Sequence, residues 1–199
     1  IRRSSNAFLV AEVDTGGDVT SIDASLDRTT RTMRIAVGSY YNAAACLLYE
    51  LHLDTLPHIM DLCATLDPPE WCGTQCVSLL NDVVAVGTYT GRVYLLHWHT
   101  GERCMLEHAE PGSIAALKLL PSHMISITRL GGMYVYERFG MTQARLVAQH
   151  TVSPHPILSV SFGESCMARA GQLASGTSTD PIPLAVMCAD PVGVSHWVW

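Results

Sequence analysis

The sequence predicts an all-β protein built from repeated four-stranded antiparallel units. Three observations carry that expectation. Short apolar runs rich in Val, Ile, Leu and aromatics recur along the chain, each cut by Gly, Pro, Asp or Asn. No stretch keeps helical spacing long enough to bridge parallel strands, and the best candidate, residues 49–64, contains Pro57. The chain also resembles itself. Ile35-Ala36-Val37-Gly38-Ser39-Tyr40 aligns with Val84-Ala85-Val86-Gly87-Thr88-Tyr89 at an offset of 49, and Gly91-Arg92-Val93-Tyr94-Leu95-Leu96 aligns with Gly131-Gly132-Met133-Tyr134-Val135-Tyr136 at an offset of 40.

Taken in order, residues 6–13 read as a strand closed by Asp14-Thr15-Gly16-Gly17. Val19 to Ser25 alternates, with Val19, Ile22 and Ala24 set against Thr20, Ser21 and Asp23. After the polar turn at 28–32 come the runs 33–38 and 45–51, then 58–66, stopped by Asp67-Pro68-Pro69. The second unit starts at 75–80. Its centre is the run from Val83 to Val86, the turn closing on Gly91, and the run from Val93 to Trp98 stopped by Thr100-Gly101. Residues 102–108 supply its fourth strand. A third unit runs through 113–120, 124–128, 133–137 and 144–150. A fourth begins at 157–162, is interrupted by the Gly-, Ser-, Thr- and Ala-rich stretch 163–183, and resumes at 184–189 and 194–199.

Units of ~40–45 residues with four strands each are the signature of propeller blades. Stacked blades cover their inner strands on both faces, which explains the unbroken apolar runs. The expected blades are 19–66, 75–108, 113–150 and 157–199, about four in all. Residues 7–13 could return as a strand of the last blade and close a ring, since closure removes exposed edges. The rival expectation is a piece of a larger propeller, and an N-terminal Ile and a C-terminal Trp197-Val198-Trp199 favour it.

The stretch 83–121 resembles a blade of the WD-repeat family. Thr90-Gly91 stands where the family has Asp-Gly, Val93-Tyr94-Leu95-Leu96-His97 stands for the third strand, and Thr100-Gly101 is kept. Leu96-His97 replaces the signature Trp-Asp pair, and His108 is the nearest substitute for the Gly-His pair before the next first strand. The family's polar network is therefore mostly missing, and packing must replace it. Divergent arrays of this kind resemble those behind an F-box in some eukaryotic proteins. That resemblance implies a propeller that holds a substrate for ubiquitination and meets a ubiquitin-ligase adaptor, in the cytoplasm or nucleus.

Composition narrows the function. Hydrophobic residues make up 48% of the chain and charged ones 15%, enough for a sizeable core. A net charge of −6 with 12 Lys plus Arg argues against nucleic acid or an anionic membrane as main partner, leaving local basic patches at Arg2-Arg3 or 28–34. No run approaches the length of a membrane span. Seven scattered Cys, an odd number, suggest free thiols in a reducing compartment.

Chemistry-bearing patterns are sparse. Cys72 and Cys76, with Cys63 upstream, have loose metal spacing, but no second pair completes four ligands. His97 and His99, two apart, could share a strand face as an acid–base or metal pair. The simpler expectation is that His97 holds its own turn and His99 is solvated. No nucleophile elbow, phosphate loop or dinucleotide fingerprint occurs. The expectation is thus a protein-interaction scaffold with no catalytic residues, metal or cofactor. The alternatives are a structural subunit of a larger assembly and an enzyme with a site at the propeller channel. In a propeller, the turns between second and third strands share a face with the links between blades. Those segments carry Tyr40, Tyr41, Trp71, Tyr89, Arg92 and Arg129, and Tyr, Trp and Arg dominate binding hot spots.

Overall fold

The structure, a computed structural model, describes residues 12–40, 46–54, 60–66, 73–107, 112–140, 142–164 and 184–198. Among these residues there is no helix, and the strands form four antiparallel sheets in chain order. The first sheet is β1 (Val19–Asp27), β2 (Thr32–Ser39), β3 (Cys46–His52) and β4 (Met60–Leu66). The second is β5 (Thr74–Leu80), β6 (Val83–Thr88), β7 (Arg92–His97) and β8 (Arg103–Glu107). The third is β9 (Ile114–Leu119), β10 (His123–Thr128), β11 (Gly132–Arg138) and β12 (Ala144–Thr151). The fourth holds β13 (Ser159–Glu164), β14 (Leu184–Ala189) and β15 (Val194–Val198).

Each strand pairs with the next, so every sheet is a meander. The first strands pack in succession, β1 on β5, β5 on β9 and β9 on β13. The sheets therefore stand as blades around a common axis, an arc of a β-propeller. The repeat offsets are explained by register. Ala36 pairs with Leu48 as Ala85 pairs with Leu95, and the aligned Gly38 and Gly87 lie near the ends of their strands.

Each junction between blades has its own core. Ala36, Cys46 and Leu48 of the first sheet meet Val77, Leu79, Val84, Val86, Tyr94 and Leu96 of the second. Ala85, Val93 and Leu95 meet Ile114, Leu117, Leu119, Met124 and Tyr134. Ile125, Ile127 and Val135 meet Val186 and Cys188. The middle strands β6, β7 and β10 are buried nearly end to end, since both their faces are covered. A fourth cluster, Ile35, Val37, Leu47 and Tyr49, lies on the face of the first sheet turned away from the second.

Most strands differ from expectation by a residue or two at one end or both, and the last sheet shows two such shifts. The last sheet starts at Ser159, because the Ile157 N–H is committed to the Arg129 carbonyl at 2.7 Å. β13 also runs on to Glu164, two residues into the expected insertion, by pairing Gly163 with Ala185 and Glu164 with Leu184. Of the expected closing strand 7–13, residues 7–11 lie outside the described residues, and Glu12 and Val13 form no strand. Insertion residues 165–183 also lie outside them.

Candidate functional site

One face of the arc collects the turns between second and third strands together with the links between blades. Hydrogen bonds tie the two kinds of segment together. Tyr40 N–H donates to Asp18 O (3.2 Å), Tyr89 N–H to Gly73 O (3.2 Å), Arg129 N–H to Ser113 O (2.8 Å) and Val152 N–H to Gly131 O (2.8 Å). The sequence builds this face with a repeated device. The Thr88 hydroxyl accepts the Arg92 N–H and donates to the Arg92 carbonyl, both at 3.0 Å. Thr128 accepts the Gly132 N–H at 3.1 Å and donates to its carbonyl at 3.4 Å.

The glycines before those bonds permit the close approach. Gly91 and Gly131 have φ of 86° and 91°, where side chains are disfavoured. A Cβ on Gly131 would sit 2.0 Å from the Ser153 carbonyl oxygen, and one on Gly91 would sit 2.7 Å from that of Gly112. The turns are thus pressed onto the links.

Four of the six expected residues are described. Tyr40 and Tyr89, from neighbouring sheets, meet edge to face with ring centroids 4.7 Å apart. The Tyr40 ring lies over Gly73, where a Cβ would come within 2.3 Å of it. Tyr89 remains 45% exposed. Arg129 sits one blade along, exposed, with one guanidinium N–H on the Ile157 carbonyl (3.3 Å). Arg92 is half-buried at the base of its turn, so its backbone holds the turn together. Tyr41 and Trp71 lie outside the described residues. The geometry therefore brings Tyr40 and Tyr89 into contact and places Arg129 on the same face.

Sequence reasoning missed two residues here. Leu130 (58% exposed) and Val192 are apolar and open at the turn tips of the third and fourth sheets. The readable signal was their shared position before a turn glycine, Leu130-Gly131 and Val192-Gly193. The turn carrying Val192 is fixed by Asp190, whose carboxylate accepts from the Ser153 hydroxyl and from the Val192 and Gly193 N–H groups. The Ser153 hydrogen bond, then the two backbone ones, lowers the Asp190 pKa below its ordinary value of 3.8.

The histidines resolve differently. β7 ends at His97, so His99 lies in the following turn and the two do not share a strand face. His97 Nδ1 accepts from the Thr100 N–H (3.1 Å) and lies 2.9 Å from its hydroxyl, which holds the turn. His99 is exposed, as expected, with its Nε2 3.5 Å from an Asp82 carboxylate oxygen. The basic run 28–34 is partly neutralised: Arg34 pairs with Glu50 and Asp82, and Arg31 pairs with Asp54. Arg34 also lines a polar cleft of about 450 Å³ with Asp27, Arg28, Asn81 and Asp82 on the opposite face. Burial pushes the Cys46 and Cys76 thiols up to about 12, so neither is a ready nucleophile. Among the described residues no three His, Cys, Asp or Glu side chains converge.

Neither a family model nor a curated protein matches the sequence. Solved structures do. The computationally designed Ika4 protein matches at 14% identity and a TM-score of 0.63, covering 98% of each chain. BBS1N, solved in complex with ARL6DN, matches at 11% identity and 0.60, over 93% of this chain and 53% of its own. Sqt1 of Saccharomyces cerevisiae matches at 12% identity and 0.59, over 92% of this chain and 46% of its own. The chain thus spans about half the length of the latter two. These likenesses show the β-propeller fold.

Proposed function

We propose that the protein is an interaction scaffold that holds a protein partner on the face bearing Tyr40, Tyr89, Arg129 and Leu130. The observation that carries this reading is the Tyr40–Tyr89 pair. Two aromatic rings from adjacent sheets are packed against each other, and one stays 45% exposed on a rigid turn. Aromatic and Arg side chains held in place lose little entropy on binding and supply most of the energy of protein interfaces. The solved complex of BBS1N with ARL6DN supports the kind of use, a propeller-bearing chain engaging a protein. The finer reading is the substrate-holding propeller of an F-box-type ubiquitin-ligase receptor in the cytoplasm or nucleus. It rests on the WD-like turn and stop residues at 88–101.

The test is capture of partners from eukaryotic extract by the wild type and by the double variant Tyr89→Ala, Arg129→Ala. The variant is expected to lose the captured partner while its thermal midpoint stays nearly unchanged. A loss of stability with no separate loss of capture overturns the reading. Recovery of a ubiquitin-ligase adaptor among the partners captured by the wild type supports the finer one.

A further inference from the structure

Equivalent positions of the four sheets line up along the face that bears the turns. The first residue after each second strand is Tyr40, Tyr89, Arg129 and Asp190. The first three share one bond. Each donates its N–H to the link that enters its own sheet, at Asp18, Gly73 and Ser113. Along the arc the chain thus presents aromatic, aromatic, cation and carboxylate in step. The carboxylate is already engaged, since Asp190 accepts from Ser153, Val192 and Gly193. The cation is not neutralised. Arg129 is exposed, and among the described residues its guanidinium meets a carbonyl, that of Ile157, and no carboxylate.

The ground between the tyrosines and Arg129 is continuous and apolar. Tyr40 packs edge to face on Tyr89 and lies over Gly73. The turn at Gly91 is pressed onto Gly112, and Leu130 leans on the same glycine from the next sheet, with Cδ1 3.2 Å from where a Gly112 Cβ would stand. The Leu130 side chain thus reaches back toward the turn that carries Tyr89. Both Leu130 and Tyr89 are exposed, so the strip is open. From Tyr89 to Arg129 it belongs to the second and third sheets, each of which has a neighbouring sheet on both sides. The strip also has an electrostatic sense. Asp18, exposed, lies at the Tyr40 end, and Arg129 lies at the other. A bound carboxylate is therefore favoured at the Arg129 end.

We propose that this strip holds a polyproline-II segment of a partner protein, with a large apolar side chain or proline against Tyr40 and Tyr89 and a carboxylate three residues away on Arg129. This rests on that face being the one that holds a partner. The spacing follows from geometry. Stacked sheets stand about 10 Å apart, which sets the step from Tyr89 to Arg129. A polyproline-II helix has about three residues per turn and rises about 3.1 Å per residue, so residues three apart share a face at about 9 Å. A β-strand places same-face residues two or four apart, at about 7 or 13 Å, on either side of the step. Packed tyrosines also suit such a segment, because aromatic surfaces receive a helix that is already ordered before binding.

Selection of phage-displayed random dodecapeptides on the chain tests this. The enriched peptides are expected to carry proline, leucine or an aromatic residue three positions from Asp or Glu, in either chain direction. The most enriched one, fluorescently labelled, should bind Tyr89→Ala and Arg129→Ala at least about tenfold more weakly by anisotropy. A version with Lys in place of its acid should bind Arg129→Glu better than it binds wild type, a swap that a damaged fold cannot produce. No enriched peptide, a spacing of two or four, binding indifferent to both alanine substitutions, or no swap overturns the proposal. Extract capture separates it from the broader reading. If Tyr89→Ala, Arg129→Ala loses its captured partner while no such peptide is selected, the face still holds a partner and the polyproline-II segment is overturned. If peptide binding and capture both ignore the substitutions, both readings fall.

Discussion

At the residue scale, the chain depends on a few atoms placed where no alternative fits. Gly131 is the sharpest case. Its φ of 91° and the Ser153 carbonyl 2.0 Å from an added Cβ leave no room for a methyl group. Gly131→Ala is expected to destabilise by at least about 1 kcal/mol from backbone strain alone, with the displaced link adding to it. Urea denaturation checks this, and Gly163→Ala, with open space around its Cβ, is the matched control. Asp190 offers a pH test. Its hydrogen bonds to Ser153, Val192 and Gly193 depress its folded pKa below 3.8. A depressed pKa means that its contribution is present above the unfolded value and is lost as pH falls through the folded one. Wild type should therefore exceed Asp190→Asn in denaturation midpoint at pH 7, and the gap should shrink as the solution is acidified below the carboxylate range. A gap that holds constant with pH would assign the effect to shape rather than charge.

At the element scale, each sheet is tied to the next by a polar side chain as well as by packing. Asp23 reaches out of β1 to the Leu79 N–H of β5, a backbone donor that the register of the second sheet leaves for it. Asp23→Ala leaves that buried donor without its partner, which costs about 1–3 kcal/mol. Thermal unfolding should show the loss, and Asp23→Asn, which keeps an acceptor oxygen, should recover part of it. The same position in the second sheet is Ser78, whose hydroxyl does the same for Leu119. The family's His/Asp/Ser/Trp network is largely missing from this sequence. In its place the junctions have these short inter-sheet bonds, and His97 with Thr100 holds the turn after β7.

At the scale of the whole molecule, cover on both faces decides which parts hold. The second and third sheets are sandwiched, while the first and fourth each have one open face along their first strands. Amide hydrogen exchange should therefore be slowest in β6, β7 and β10, buried nearly end to end, and faster in β1 and β12, whose residues are exposed or half-buried. Equal protection across all four sheets would contradict this ordering.

Much of this was legible in the residues. The alternation and apolar runs set the strands, the turn glycines set the hairpins, and the offsets of 49 and 40 set the blades, because all three are local or periodic properties of the chain. The face carrying Tyr40, Tyr89 and Arg129 was also legible, since meander topology alone sends those turns to one side. Contacts across blades were not. Nothing in the sequence says that Tyr40 lies over Gly73 and meets Tyr89, that Arg34 reaches Asp82, or that Asp23 and Ser78 serve the same purpose in successive sheets. Those pairs lie far apart in the chain, and the rotation between packed sheets brings them together. The sequence by itself determined that the chain makes repeated antiparallel sheets. Only the tertiary structure decided how they stack, β1 on β5, β5 on β9 and β9 on β13, because that choice depends on which side chains meet across each junction.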